Sequence, residues 1–92
     1  MPKINFAPSF VAAYKKFTKR NPKRIQAIDR IFKFFASNPK HPSLHIEKLS
    51  GGEIWTIRLD RGNRLFFIWA DKDNTAIFFF VGPHDSYQKM KN

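Results

Sequence analysis

Residues 49–65, LSGGEIWTIRLDRGNRL, decide the fold. Trp55, Ile57 and Leu59 alternate with Thr56, Arg58 and Asp60, the two-residue period of a strand with one face on a core. Ser50-Gly51-Gly52 before it and Arg61-Gly62-Asn63 after it are turn formers, so the strand has an antiparallel neighbour on each side. The length of the second turn fixes the faces. A two-residue turn, Arg61-Gly62, would set Leu59 opposite Arg64 and draw a guanidinium toward the core, where an unpaired charge is costly. A three-residue turn sets Asp60 opposite Arg64 and Arg58 opposite Phe66, leaving both arginines on the outer face. The three-residue turn is the expectation.

Further strands are predicted over 44–49, 64–70 and 76–81, the last two joined by Asp71-Lys72-Asp73-Asn74. Short connections of this kind make a consecutive antiparallel meander. Upstream, Phe10, Val11, Tyr14 and Phe17 recur at helical spacing from Ser9, a candidate N-cap, to the Asn21-Pro22 stop. Pro22 opens a second helix with Ile25, Ile28, Ile31, Phe32 and Phe35 on one stripe, closed by Asn38-Pro39. Residues 3–6 form a candidate short first strand, ended by Pro8. The expected fold is α+β: an N-terminal helix hairpin, after that short strand, packed on one face of a small, mostly antiparallel sheet of four to five strands.

Ninety-two residues have room for one core, so residues 1–92 read as a single domain. Eleven Phe and two Trp suffice to fill it, Trp55 and Trp69 included. There is no cysteine, which excludes disulfides and thiolate metal sites. The N-terminus has no apolar h-region and the longest apolar runs are strand-length, so neither a signal peptide nor a membrane span is expected. A cytoplasmic location is the expectation. His41 and His45 are four apart, but Pro39 and Pro42 preclude a regular helix and no third ligand is evident, so no metal or other cofactor is predicted.

Net charge is +10 and lopsided. Residues 1–50 carry eleven Lys or Arg against Asp29 and Glu47, a net of +9. The helices' polar faces hold Lys15, Lys16, Lys19, Arg20, Lys23, Arg24, Arg30 and Lys33 with little acid between them. Such a ramp predicts a polyanionic partner and salt-sensitive phosphate contacts, with Lys48 and Arg61 adding to it. The plainer alternative is a pair of solvated helix faces.

Chemistry can be carried by Arg58, Arg64, His84, Asp85 and Tyr87. RNA supplies its own nucleophile, the 2′-hydroxyl. Its cleavage needs a base, cations to stabilise the charge gathering on phosphorus, and an acid for the departing 5′ oxygen. Guanidinium groups bind phosphate through paired donors, which suits Arg58 and Arg64. Imidazole titrates near neutrality, which suits His84 as acid or base. Asp85 can assist or orient it, and Tyr87 can stack on a base. His45 and Glu47 are further candidates for the base.

The order of elements, the L-S-G-G-x-x-W-x-I-R-L stretch, the following N-R-L-F-F and the terminal V-G-x-H-D-x-Y resemble the RelE/ParE superfamily of toxin–antitoxin toxins, in its RelE-like branch. The resemblance spans nearly the whole chain. It implies a metal-independent endoribonuclease acting on mRNA in the ribosomal 30S A site, and a cognate acidic antitoxin as partner. Arg64 matches the family arginine opening the strand after the hairpin, and Arg58 lies where a basic residue is usual. Tyr87 falls at the terminal aromatic, and His84 where several branches place a catalytic histidine. Thr56 departs from the lysine common in RelE, which leaves His84, Asp85, His45 and Glu47 open as the base. The alternative activity is ParE-like, a non-enzymatic block of a protein target such as DNA gyrase. An inactive RNA-binding domain is the third.

Overall fold

A computed structural model describes residues 2–72 and 74–86. In chain order it contains β1 (Lys3–Phe6), α1 (Pro8–Thr18), α2 (Pro22–Ser37), β2 (Glu47–Lys48), β3 (Trp55–Arg58), β4 (Asn63–Ala70) and β5 (Thr75–Pro83). Short 3-10 turns lie at Pro42–Leu44 and His84–Ser86. The five strands form one sheet in the order β1-β5-β4-β3-β2. Only β1 runs parallel to its neighbour, with Lys3 opposite Thr75 and Phe6 opposite Phe78; the rest is the expected meander.

Both helices cover one face. Phe10, Phe17, Ile28 and Phe35 from the helices meet Ile57, Leu65, Phe67, Ala76, Phe78 and Val81 from the sheet. At the centre the Phe35 ring lies 5.4 Å from Phe67 and 5.7 Å from Phe78, which are 5.0 Å from each other. Edge and tilted contacts of this kind add about 0.5–1.5 kcal/mol per pair beyond burial. Trp69 stacks on Phe35 at 5.7 Å and Trp55 on Phe67 at 6.5 Å, so both indoles belong to this side.

Local chemistry sets the ends of α2 as expected. The Asn21 side chain accepts from the Arg24 backbone N–H at 3.3 Å, Pro22 follows it, and the Asn38 N–H closes the helix onto Phe34 O at 2.7 Å. The start of α1 differs from expectation. Pro8 takes the first turn with Ala7 as N-cap, and the Ser9 hydroxyl donates instead to Phe79 O at 2.6 Å, tying the helix to β5. Val11 and Ile25 lie on the predicted buried stripes but are 43% and 44% exposed. With Phe6 they border an open groove between β1, α1 and α2.

Two strand expectations need correction. The strand predicted over 44–49 shrinks to Glu47–Lys48, because Pro42 starts a 3-10 turn and His45 then takes a left-handed backbone, φ 47°. The hairpin ladder stops with Arg58 opposite Arg64, leaving residues 59–63 as the connection instead of a three-residue turn. Asp60 accounts for the longer loop. One of its carboxylate oxygens accepts from the Gly62 and Asn63 backbone N–H groups, both at 2.9 Å, and from the Asn63 side chain at 3.0 Å. The register moves by two residues, which preserves the faces, so the two arginines still stand on the side away from the helices.

Candidate functional site

Residues directly opposite in an antiparallel ladder share a face. Two rows therefore cross the side of the sheet away from the helices. Glu47, Thr56, Phe66 and Phe80 form one; Arg58, Arg64 and Gly82 form the next. Thr56 and Phe66 are buried and make a floor, with the Phe80 ring 5.8 Å from Phe66. A Cβ on Gly82 would come within 2.9 Å of the Phe80 ring, so its lack of a side chain lets that ring lie across the row.

A cavity of about 390 Å³ opens over the second row, lined by Ser43, His45, Arg58, Asp60, Arg61 and Arg64. A smaller one of about 190 Å³ adjoins it, bringing in Glu47 and Thr56 and sharing His45, Arg58 and Arg64. Together they make one cleft. His45 reaches it because of its left-handed backbone: the 3-10 turn buries Leu44, and the chain must reverse at once to enter β2. Such a conformation is uncommon outside glycine, and in this chain Arg20, Asp71 and Lys72 adopt it as well, all in turns.

The hairpin loop fixes Arg64. Its Nη1 donates to Asp60 O at 2.8 Å, Asn63 O at 3.0 Å and Arg61 O at 3.5 Å. Arg58, opposite it, is exposed. Like charges directly across a ladder repel. Among the described residues no carboxylate lies within ion-pair distance of either guanidinium, and the one ion pair is Lys33–Asp29 at 3.2 Å on α2. Partial burial pushes the Asp60 carboxyl up. The Asn63 side chain, the Gly62 and Asn63 backbone N–H groups and the charge of Arg24 outweigh that and hold it below its ordinary 3.8. Asp60 thus stays anionic and keeps the loop wound around Arg64.

Neither a family model nor a curated protein matches the sequence. Solved structures do match the fold. A YoeB/ParE toxin from Agrobacterium tumefaciens superposes with a TM-score of 0.75 at 14% identity, over 89% of this chain and 98% of that one. YafQ from E. coli gives 0.72 at 13% identity, over 95% and 98%. The YoeB–YefM complex from Staphylococcus aureus gives 0.71 at 23% identity, over 91% and 98%. This is the RelE/ParE toxin fold.

On the RelE/ParE fold of this chain the expected site residues separate into groups. Arg58, Arg64 and Arg61 line the cleft together with His45 and Glu47. His84 and Asp85 are exposed on the 3-10 turn after β5; neither lines the cleft, but the His84 N–H donates to Gly62 O at 3.0 Å, which anchors that turn to the hairpin loop. Tyr87 lies outside the described residues. Lys15, Lys16, Lys19, Arg20 and Lys23 are exposed on α1, the helix connection and the start of α2. Arg24 is engaged: its Nη1 donates to Phe17 O at 2.9 Å and its guanidinium carbon sits 3.9 Å from the centre of the Phe17 ring. Lys48 pairs with Trp55 and so shares the helix-side face, away from the arginines.

Sequence reasoning missed Ser43 and Gly82. Ser43 had no signal, being a loop serine like any other. Gly82 had one, a lone glycine in an apolar strand, which often marks a close approach.

Proposed function

We propose that this chain is the toxin of a toxin–antitoxin pair, an endoribonuclease that cleaves mRNA in the ribosomal A site by attack of the 2′-hydroxyl. The observation that carries the reading is the uncompensated pair Arg58 and Arg64, side by side over an otherwise closed floor. A phosphate between them relieves their repulsion and accepts hydrogen bonds from both. In the transition state, where negative charge on the phosphoryl oxygens grows, the same donors act more strongly. Arg64, already held through Nη1, loses little freedom in doing so.

Glu47 and His45 face the same cleft and are the groups from which the base is drawn. His84 lies outside that cleft, on the turn anchored to the hairpin loop, and remains the further candidate for acid or base. Positive charge comes from the guanidinium groups, so the scheme needs no metal. Cleavage leaves a 2′,3′-cyclic phosphate and a 5′-hydroxyl.

The partner is an acidic antitoxin. A net charge of +10 favours an acidic chain, and one solved structure with this fold is described as a YoeB–YefM complex. The groove of about 440 Å³ bordered by Phe6, Val11, Tyr14, Ile25 and Phe32, with Asp29 its one charged lining residue among those described, offers an apolar anchor for an amphipathic segment of that partner.

Mapping mRNA ends in cells expressing the wild type, Arg64→Ala or His84→Ala tests the activity. New 5′ ends inside reading frames are expected with the wild type and are lost in both variants. Growth arrest with mRNA intact, and His84→Ala still toxic, would instead favour a protein target such as DNA gyrase.

A further inference from the structure

The arginine cleft does not end at the sheet. A second groove of about 200 Å³ continues from it onto α2, sharing Ser43, Arg58 and Leu59 with the larger cavity and reaching Arg30 and Phe34. We propose that this groove is the subsite for the nucleotide flanking the scissile phosphate, with Phe34 stacking on its base and Arg30 holding its own phosphate. The inference rests on the RNA-cleaving reading of the cleft.

Three observations favour a nucleotide here. Phe34 is 42% exposed, unusual for so large an apolar ring, and the His41 ring packs against it at 5.3 Å with a 40° tilt, leaving the rest of the ring open to solvent. Arg30 is four residues earlier on α2, so the two side chains are neighbours on one helix face. Among the described residues the Arg30 side chain makes no hydrogen bond or ion pair, and Asp29, next to it in sequence, lines the apolar groove on another side of α2. Among the described residues no acidic side chain lines the groove toward Phe34, and its lining includes Ile31, Leu44 and Leu59.

An open aromatic ring next to a free cation is how single-stranded RNA is held without reading a fixed sequence. Continuity with the arginine pair sets the order. One phosphate sits between Arg58 and Arg64, and the next sugar and base pass over Leu59 toward Phe34. A duplex offers no open base face, so the groove selects unpaired RNA.

The test is fluorescence anisotropy with a short single-stranded RNA, fluorescein-labelled and 2′-O-methylated throughout so that it cannot be cut. Phe34→Ala is expected to weaken binding about ten-fold. Phe34→Tyr restores it and Phe34→Leu does not, which separates stacking from mere apolar filling. Arg30→Gln weakens binding and lowers the salt dependence by about one ion. Phe34 and Arg30 are both exposed, so these variants fold. The proposal is overturned if the wild type fails to bind, if Phe34→Ala and Arg30→Gln bind like the wild type, or if leucine serves as well as tyrosine. Its failure is distinct from that of the cleavage reading. Cut mRNA with unaltered binding by both variants removes the subsite alone, whereas intact mRNA with binding still dependent on Phe34 removes cleavage and keeps the subsite.

Discussion

Two parts of this molecule are strongly basic, and they are basic in different ways. The ramp on α1 and the start of α2 holds mainly lysines on exposed positions, each free to move and each hydrated. The cleft on the sheet holds two arginines set by strand register, one of them tied to three backbone carbonyls. The ramp has more charge; the cleft has it in a fixed place. Loose charge raises encounter rate and overall affinity, whereas placed charge can discriminate a transition state from a ground state. On the proposed function, binding falls to the first and chemistry to the second.

The sharpest way to break that division is Arg64→Ala. Loss of one donor that acts on developing charge typically reduces kcat by about 10²–10³, and cleavage of ribosome-bound mRNA in a purified translation system measures it. Arg64→Lys should fail nearly as badly, because one ammonium cannot reach both the loop carbonyls and a phosphate. An unchanged kcat in either variant would erase the distinction between the two regions.

Arg24 sharpens it from the other side. By sequence it belongs to the ramp, yet its guanidinium braces the end of α1 and lies over Phe17. Arg24→Ala is therefore expected to lower folding stability by about 2 kcal/mol, from a charge-assisted hydrogen bond and a cation–π contact, read by urea denaturation. Arg20→Ala, an exposed neighbour, should leave stability within about 0.5 kcal/mol.

Asp60→Ala removes the carboxylate that winds the loop around Arg64 and should lower stability by about 1 kcal/mol at neutral pH. The folded state lowers the Asp60 pKa, so its stabilisation is present above the ordinary value of 3.8 and disappears as pH falls through the lower folded-state value. Denaturation of the wild type and the variant should accordingly converge in acid. A gap that persists well below pH 3.8 would mean that the carboxylate's charge is not what holds the loop.

The smallest effect belongs to the ramp itself. Lys15→Gln with Lys19→Gln should weaken RNA binding a few-fold and reduce the salt dependence by about two ions, with kcat unchanged. A large fall in kcat would show that the ramp takes part in the chemistry.

Much of this was legible before any coordinates. The alternation from Trp55 to Asp60 carried the sheet, and the argument against burying a guanidinium put Arg58 and Arg64 on one face. The loop length was misjudged because nothing local announces that Asp60 will cap it; a two-residue error in register left the faces intact. Pro22 announced the start of α2 through chemistry confined to neighbouring residues, and the Asn21 cap before it came from the structure. Ser9 could not be read the same way, since its partner, the Phe79 carbonyl, lies seventy residues on. The cleft was legible in part. Arginines on a strand are periodic and predictable, but His45 enters through a backbone reversal in a proline-rich loop, and the groove toward Phe34 depends on how α2 lies beside that loop.

The parallel pairing of β1 with β5 has one more consequence. Lys3 lies opposite Thr75 and donates its N–H to Asn74 O at 2.8 Å, so β1 can pair only once β5 has been made. A nascent chain emerging from its own ribosome cannot close this sheet early, and until residues 75–78 exist the edge prepared for β1 is missing. Closure of the sheet is thereby a long-range step that awaits residues 75–78, a contact of high sequence separation that forms slowly.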